Sequence, residues 1–220
     1  MIEIKEKLLA ENNRLRSGGK YKKKYITIHS TSNEKSTAEN ERAWLENKSN
    51  TRNASWHYAV DENYIIQALP DEEEAWHCGT EEGNKHSISI EICESGDRKA
   101  AVDNAVCLTA KKMREHSIPL ENIKQHFQWN GKNCPRILRD EKYVKNGIDW
   151  QYFMEEVKKR LESDREMVYR SVEEIPEWAK ATVKKLTEKG YIAGDEKGNL
   201  NLSEMAVKVL VINDRAGLYG

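Results

Sequence analysis

Ser87-Ile-Ser-Ile-Glu-Ile-Cys93 is the segment that decides the fold class, because polar and apolar residues alternate along its whole length. A period of two places its isoleucines on one face of a β-strand and Glu91 on the other. Tyr25-Ile-Thr-Ile-His29 alternates in the same way, with His29 opposite its isoleucines. If both isoleucine faces cover a core, His29 and Glu91 project from the opposite face, toward solvent or a cleft.

Helical segments and a hairpin surround these strands. Helices are predicted over about Ser36–Asn47, Lys99–His116 and Trp150–Leu161, and a β-hairpin over Trp56–Val60 and Tyr64–Leu69. The first of the helices begins with the capping-box pattern Ser36-Thr-Ala-Glu39. Strands interleaved with helices of this length predict an α/β domain with a mixed central sheet flanked by helices.

A change of composition divides the chain into two domains. The polar stretch Glu162–Arg170 contains no Pro or Gly, so we expect it to continue the preceding helix as a linker. Residues 1–162 are therefore predicted to form the α/β domain, and residues 171–220 a small, mainly helical C-terminal domain. Within the latter, Ile175–Gly190 and Leu202–Arg215 have the patterns of two helices.

The composition excludes several classes of protein. The 220 residues carry 36 basic and 37 acidic side chains, so the net charge is close to zero. This charge gives no indication of a nucleic acid or an anionic membrane as partner. No stretch approaches the roughly 18 consecutive apolar residues of a membrane-spanning helix. The charged N-terminus lacks the apolar core of a signal peptide, so we expect synthesis in the cytoplasm. The 4 cysteines lack the spacing of a disulfide framework.

The segment Gln125–Pro135 concentrates reactive side chains in a loop that contains glycine. His126 and Cys134 lie there, and imidazole and thiolate are zinc ligands; with His29 they would leave one tetrahedral position for water. With a single thiolate among its ligands the zinc site keeps a net positive charge, which lowers the pKa of bound water. Glu91, outside the ligand set, could accept the proton that this water loses. The residues alone leave ordinary alternatives open: a solvated carboxylate, unliganded histidines and a buried thiol.

Separated segments of the chain together resemble a known enzyme family. They are Tyr25–His29, Ser55–Asp61, Ala75–Gly79, Asn84–Ile92 and His126–Pro135. In this order and spacing they resemble the zinc-dependent N-acetylmuramoyl-L-alanine amidases of the type-2 family, which includes phage endolysins, bacterial autolysins and peptidoglycan-recognition proteins. The resemblance covers about residues 1–160 and is strongest to endolysins of phages that infect Gram-positive hosts.

The resemblance implies a role for each reactive side chain. His29, His126 and Cys134 would be the zinc ligands. Glu91 would be the catalytic acid and base, and Lys132 would stabilise developing negative charge. The implied substrate is bacterial peptidoglycan, cut at the amide between N-acetylmuramic acid and the L-alanine of the stem peptide.

Further residues are candidate contacts to this substrate: Trp56, His57, Trp76 and Trp129. Flat aromatic rings suit sugar and lactyl faces, although packing in the core is the alternative for Trp76 and Trp129. A catalytic tyrosine of several relatives aligns with Trp56, whose indole cannot exchange a proton, so the resemblance leaves acid–base chemistry to Glu91. A second metal set from His57, His77, His86 and Cys78 is the less favoured alternative to positions lining the groove or the domain edge.

The C-terminal segment 171–220 resembles one repeat of an S-layer-homology-type wall-binding module. The similarity rests on Pro176-Glu-Trp-Ala179 and on Lys189–Asp195. Ser203-Glu-Met replaces the usual Thr-Arg-Ala-Glu motif of that family. The resemblance implies binding to a wall polymer, and because two helices make a marginal core, a homodimer through this domain is the alternative.

The sequence leaves more than one function to compare. A zinc amidase, a non-catalytic peptidoglycan-binding protein and a fold in which zinc is only structural would share these segments. Non-enzymatic relatives characteristically lose the cysteine ligand, so Cys134 together with Glu91 and Lys132 favours the enzyme. We expect a protein that is made without an export signal and that acts on the cell wall. Both an endolysin released through a membrane pore and an autolysin released by cell lysis fit this expectation.

Overall fold

The computed structural model of the protein describes residues 3–163 and 168–220. Two compact units divide the chain, Met1–Glu162 and Ser163–Gly220. Of the linker predicted to be helical, Glu162 and Ser163 belong to a helix, a strand begins at Val168, and residues 164–167 lie outside the described residues.

A mixed sheet forms the centre of the first unit, which confirms the predicted α/β class. The strands are β1 (Ile4–Glu6), β2 (Tyr25–Ser30), β3 (Tyr58–Val60), β4 (Ile65–Gln67), β5 (Ser87–Ile92) and β6 (Ile123–Gln125). The helices are α1 (Ala38–Trp44), α2 (Glu81–His86), α3 (Arg98–His116), α4 (Phe127–Asn130), α5 (Arg136–Arg139) and α6 (Trp150–Ser163). The strand order is β1-β4-β3-β5-β2-β6; the predicted hairpin β3-β4 is antiparallel and the other pairs are parallel.

The start of α1 differs from the capping box predicted at Ser36. Thr37 is the N-cap, and its hydroxyl accepts a hydrogen bond from the Asn40 amide. The Ala38 amide at the next position donates to a carboxylate oxygen of Asp61 at 2.8 Å. This bond ties the first helical turn to the hairpin and moves the cap one residue along the chain. The helix ends at Trp44, earlier than predicted.

Both faces of the sheet are covered, including the one that alternation in the strands predicted to border solvent or a cleft. The isoleucines of β2 and β5 pack with α3 and α6 in one core. The other face is covered by α1 and the N-terminal segment, through Leu9, Leu15 and Leu45. His29 and Glu91 are register partners on this second face. They lie near the carboxyl ends of two parallel strands, the edge of an open α/β sheet at which ligands bind.

The second unit is small and has its own core. Its described elements are β7 (Val168–Tyr169), α7 (Glu177–Glu188), β8 (Leu202–Ser203) and α8 (Glu204–Arg215). The core consists of Tyr169, Ile175, Ala179, Val183, Val207 and Val211. Lys185 and Thr182 of α7 both bond the Asp214 carboxylate of α8 at 2.8 Å. Across the described parts of both units, no helix is long and apolar enough to cross a membrane.

Candidate active site

Three side chains predicted as metal ligands meet at one edge of the sheet. His29 lies near the end of β2, His126 directly follows β6, and Cys134 lies in the loop before α5. The Nδ1 atoms of His29 and His126 are 3.0 Å apart, and the Cys134 Sγ is 3.7 Å from His29 Nδ1. All three side chains are buried, and one ligand atom from each lies within 4.8 Å of the others.

This donor set fits a zinc ion. With metal–nitrogen bonds of about 2.0 Å and metal–sulfur bonds of about 2.3 Å, tetrahedral ligand atoms lie roughly 3.3–3.7 Å apart. Burial lowers the pKa of His126 to about 4 and that of His29 well below its ordinary value. Both imidazoles are therefore neutral, and each has a nitrogen lone pair available to a cation. Burial also raises the pKa of the Cys134 thiol to about 12, so metal binding must displace its proton.

Glu91 lies beside this cluster. Its Oε1 lies 3.8 Å from His29 Nδ1, and 15% of its side chain is exposed, where it borders a cavity. Burial, and then the negative charge of Glu41, raise the pKa of Glu91 to about 8, while Lys132 opposes the shift. A carboxyl group with a pKa near neutrality can both accept and donate a proton.

A cavity of about 800 Å³ opens in front of the cluster. It is lined by the predicted residues His29, Glu91, Lys132, Cys134, Trp56 and Trp76. Trp56 is nearly buried, and its indole Nε1 has no hydrogen-bond partner among the described residues. Two of the candidate ligands, an acid, a cation and two indole rings therefore border a single space.

Two of the candidate substrate contacts do not line this cavity. His57 is buried behind it, with Nδ1 bonded to Ser89 and Nε2 donating to the Glu73 carbonyl at 2.9 Å. The Trp129 indole donates to Thr27 Oγ1 at 2.9 Å and meets the Tyr25 ring edge-on. The polar atoms of both side chains are bonded within the protein, so neither offers a free polar group, and their contact with the substrate stays a prediction.

The alternative second metal set is not assembled. His77 bonds His29, and His86 Nδ1 bonds the Lys22 carbonyl instead. Within residues 3–163 and 168–220, the only other acid–histidine group with metal-like spacing is Asp71, Glu115 and His116. The Lys112 ammonium bonds both of those carboxylates at 2.8 Å, which makes the group an ion-pair network.

Residues that the sequence analysis did not identify connect segments of the chain around the site by hydrogen bonds. The Glu94 carboxylate accepts from the Ser32 amide after β2 and from the Arg136 guanidinium after Cys134, both at 3.0 Å. It thereby joins the segments that follow two of the ligands. Lys23, in the basic run Lys20-Tyr-Lys-Lys-Lys24, is buried and donates to main-chain carbonyls. No periodic pattern marks either residue, because their partners are distant in sequence.

Curated relatives support an assignment of the first unit. The family model described as N-acetylmuramoyl-L-alanine amidase matches residues 19–137. The amidase CwlH of Bacillus subtilis (strain 168) is 39% identical over 145 residues, which are 64% of this chain and 58% of CwlH. The amidase XlyA of the same organism is 43% identical over 122 residues, 53% of this chain and 40% of XlyA. The chain thus spans about half the length of the curated relatives it matches.

Solved structures agree with this assignment. A mutant endolysin from Bacillus subtilis superposes with a TM-score of 0.64 at 37% identity, covering 71% of this chain and 99% of the other. The catalytic domain of XlyA gives a TM-score of 0.64 at 35% identity, with the same two coverages. With the family model spanning more than half of the sequence and a shared fold, the chain belongs to the N-acetylmuramoyl-L-alanine amidase family.

Proposed function

We propose that this chain is a zinc-dependent peptidoglycan hydrolase that cleaves the amide between N-acetylmuramic acid and the L-alanine of the stem peptide. The observation that carries the proposal is the convergence of His29, His126 and Cys134 in one cluster, with Glu91 beside it at the wall of a cavity. Its relatives include proteins named as endolysins and amidases. We assign it to a phage or prophage endolysin, made in the cell and acting on the wall after release, with a bacterial autolysin of the same chemistry as the alternative.

Each residue of the cavity has a defined task in this reaction. When bound, zinc would supply a Lewis acid that polarises the scissile carbonyl and acidifies water. The Glu91 carboxylate takes the proton of the attacking water and then delivers it to the leaving amine of L-alanine. The Lys132 ammonium, which is exposed toward the cavity, stabilises the negative charge that develops on the carbonyl oxygen.

The cavity favours hydrolysis over recognition alone. A binding protein needs no acid beside the metal ligands, and burying a carboxyl group there costs stability. Glu91 nevertheless has a strongly raised pKa at this point. The Trp56 and Trp76 rings provide apolar surface along the same wall, suited to a sugar ring and its lactyl group. The combination supports a site in which substrate binding and proton transfer occur together.

Dependence on zinc tests this proposal directly. Removal of metal by a chelator is expected to abolish the release of amino groups from purified Gram-positive peptidoglycan, and added Zn²⁺ is expected to restore it. The reason is that neutral imidazoles and a protonated thiol alone offer neither a Lewis acid nor an activated water. Activity that survives verified removal of metal would exclude the zinc mechanism.

For residues 171–220 we propose binding to a wall polymer. The unit exposes large apolar side chains, among them Tyr191 (64%), Met205 (63%) and Ile212 (65%), and Tyr191 and Met205 border an open groove. Exposed apolar area of this kind is typical of an interaction surface. A second copy of the unit is the competing occupant.

Deletion of residues 164–220 separates these alternatives. We expect the remaining chain to cut soluble muropeptides at the parental rate, because the first unit has its own cores and the whole candidate site. Co-sedimentation with intact walls should fall, while the sedimentation coefficient of the full chain should be that of a monomer. A dimeric full chain that becomes monomeric on deletion would instead assign the surface to self-association. Undiminished wall binding by the truncated chain would rule out the wall-binding role.

A further inference from the structure

His77 is hydrogen-bonded to one of the candidate metal ligands. Its Nδ1 lies 3.0 Å from His29 Nε2, and the two rings meet edge-on at 81°. The other ring nitrogen of His29, Nδ1, is the atom that faces His126 and Cys134. His29 is therefore bonded on one side by a histidine of the loop before α2 and is open on the other side toward the ligand cluster.

The bond determines where the protons must be for His29 to bind a metal. A neutral imidazole carries one proton, and its other nitrogen supplies the lone pair. If His29 Nδ1 is the ligand atom, Nε2 must carry the proton and donate it to His77 Nδ1. The remaining proton of His77 then lies on Nε2, an atom that has no hydrogen-bond partner in the described part of the chain. The opposite arrangement would direct a proton from His29 Nδ1 into the metal site.

We propose that His77 is a positioning residue for the zinc ligand His29, acting as the acceptor that fixes its tautomer and ring orientation. The inference rests on the proposed zinc site. Metal-bound histidines generally donate their second N–H to a hydrogen-bond acceptor such as a carboxylate, a main-chain carbonyl or water, which orients the ring and raises the basicity of the ligand. Here the acceptor is a neutral imidazole, so it adds no charge to the site.

The loop that carries His77 is held in place by hydrogen bonds that do not involve the His77 side chain. The main-chain amides of His77 and Cys78 both donate to Asn84 Oδ1 at 3.1 Å. The Ala75 amide bonds the Asn84 carbonyl, and the Asn84 amide bonds the Thr80 carbonyl. Because these bonds anchor the segment to α2, replacing the imidazole removes the acceptor and leaves the backbone in place.

Two substitutions separate the loss of the acceptor from the loss of the imidazole ring. His77→Asn keeps an oxygen near the position of Nδ1, whereas His77→Leu has no acceptor. We expect His77→Leu to weaken Zn²⁺ binding by about 10- to 100-fold and His77→Asn to stay within about threefold of the parent. The measurement is competition for Zn²⁺ against a chromophoric chelator with the full chain, supported by the visible spectrum of the Co²⁺ form, which reports ligand geometry. His77→Ala takes the place of the leucine variant if the latter does not fold.

His86→Ala is the matched control, because His86 lies outside the cluster and bonds the main-chain carbonyl of Lys22. The Zn²⁺ affinity of this variant should equal that of the parent. Equal weakening by the leucine and asparagine substitutions, or no weakening by either, would overturn the role of His77. A parent that binds no Zn²⁺ would instead overturn the zinc site itself. Tight binding without hydrolysis would contradict the proposed activity and leave the role of His77 intact, so these failures are distinguishable.

Discussion

Glu91→Gln is expected to reduce turnover of peptidoglycan by about 10²- to 10⁴-fold, the usual contribution of a general acid–base residue. The amide keeps the size of the carboxyl group but can neither take the proton of water nor return it to the leaving amine. Zinc content should be unchanged, because His29, His126 and Cys134 are untouched. Amino-group release and metal analysis of the same preparation measure both effects.

The same substitution should stabilise the metal-free protein at alkaline pH. Folding raises the pKa of Glu91 from its ordinary value of 4.5 to about 8. Below pH 4.5 the carboxyl group is protonated in both states and has no effect. Between pH 4.5 and 8 the unfolded chain alone loses the proton, so stability falls as pH rises, and the full penalty applies above pH 8. Glutamine has no such penalty, and we expect a gain on the order of 3–5 kcal/mol at pH 8 and above.

Glu41→Gln is the matched control for the turnover measurement. Glu41 lines the same cavity and raises the pKa of Glu91, but it is not one of the residues placed in proton transfer. Its substitution should retain most of the turnover. Urea unfolding across the range from acid to alkaline pH gives the stability of each variant. Near-parental turnover in the Glu91→Gln variant would move the base elsewhere, and the lack of a pH-dependent gain in that variant would contradict the burial of this charge.

Cys134→Ser should remove bound zinc and, with it, all measurable hydrolysis. The thiolate is the anionic member of the ligand set, and a serine hydroxyl stays protonated and binds zinc poorly. Two neutral imidazoles remain, which is too few for a stable site. Metal analysis after dialysis and amino-group release from peptidoglycan are the two measurements.

Cys93→Ser is the matched control for the cysteine experiment. Cys93 is also buried, but it packs in the core beneath α1 and does not belong to the ligand group. The Cys93→Ser variant should retain zinc and activity, but it should be less stable, because the substitution places a hydroxyl in an apolar core. Full zinc content in the Cys134→Ser variant would show that the thiolate is not a ligand.

Much of the fold followed from local patterns in the sequence. Alternation in Tyr25–His29 and Ser87–Cys93 predicted strands with His29 and Glu91 on the same face, because a period of two is a property of the strand itself. The change of composition near residue 162 also predicted a boundary between two domains. The cap of α1 was misplaced because the Asp61 carboxylate, 23 residues from the Ala38 amide, decides where the helix starts.

The role of a side chain in the site could not be predicted from sequence where partners distant along the chain decide it. His57 and Trp129 carry the same groups as a substrate contact would, and only Ser89, Glu73 and Thr27 show that these groups are already bonded. Glu94 lies in a polar stretch with no motif, yet it joins the segments that follow β2 and Cys134. No local pattern specifies contacts over more than 40 residues of chain.

Mass spectrometry of peptidoglycan products tests the central claim most directly. Purified Gram-positive peptidoglycan is incubated with the zinc-loaded chain and, in parallel, with the Cys134→Ser variant. The account predicts free stem peptides with a new L-alanine amino terminus from the parent and none from the variant. Wall fragments that remain intact but co-sediment with the protein, or cleavage at any other bond, would contradict it.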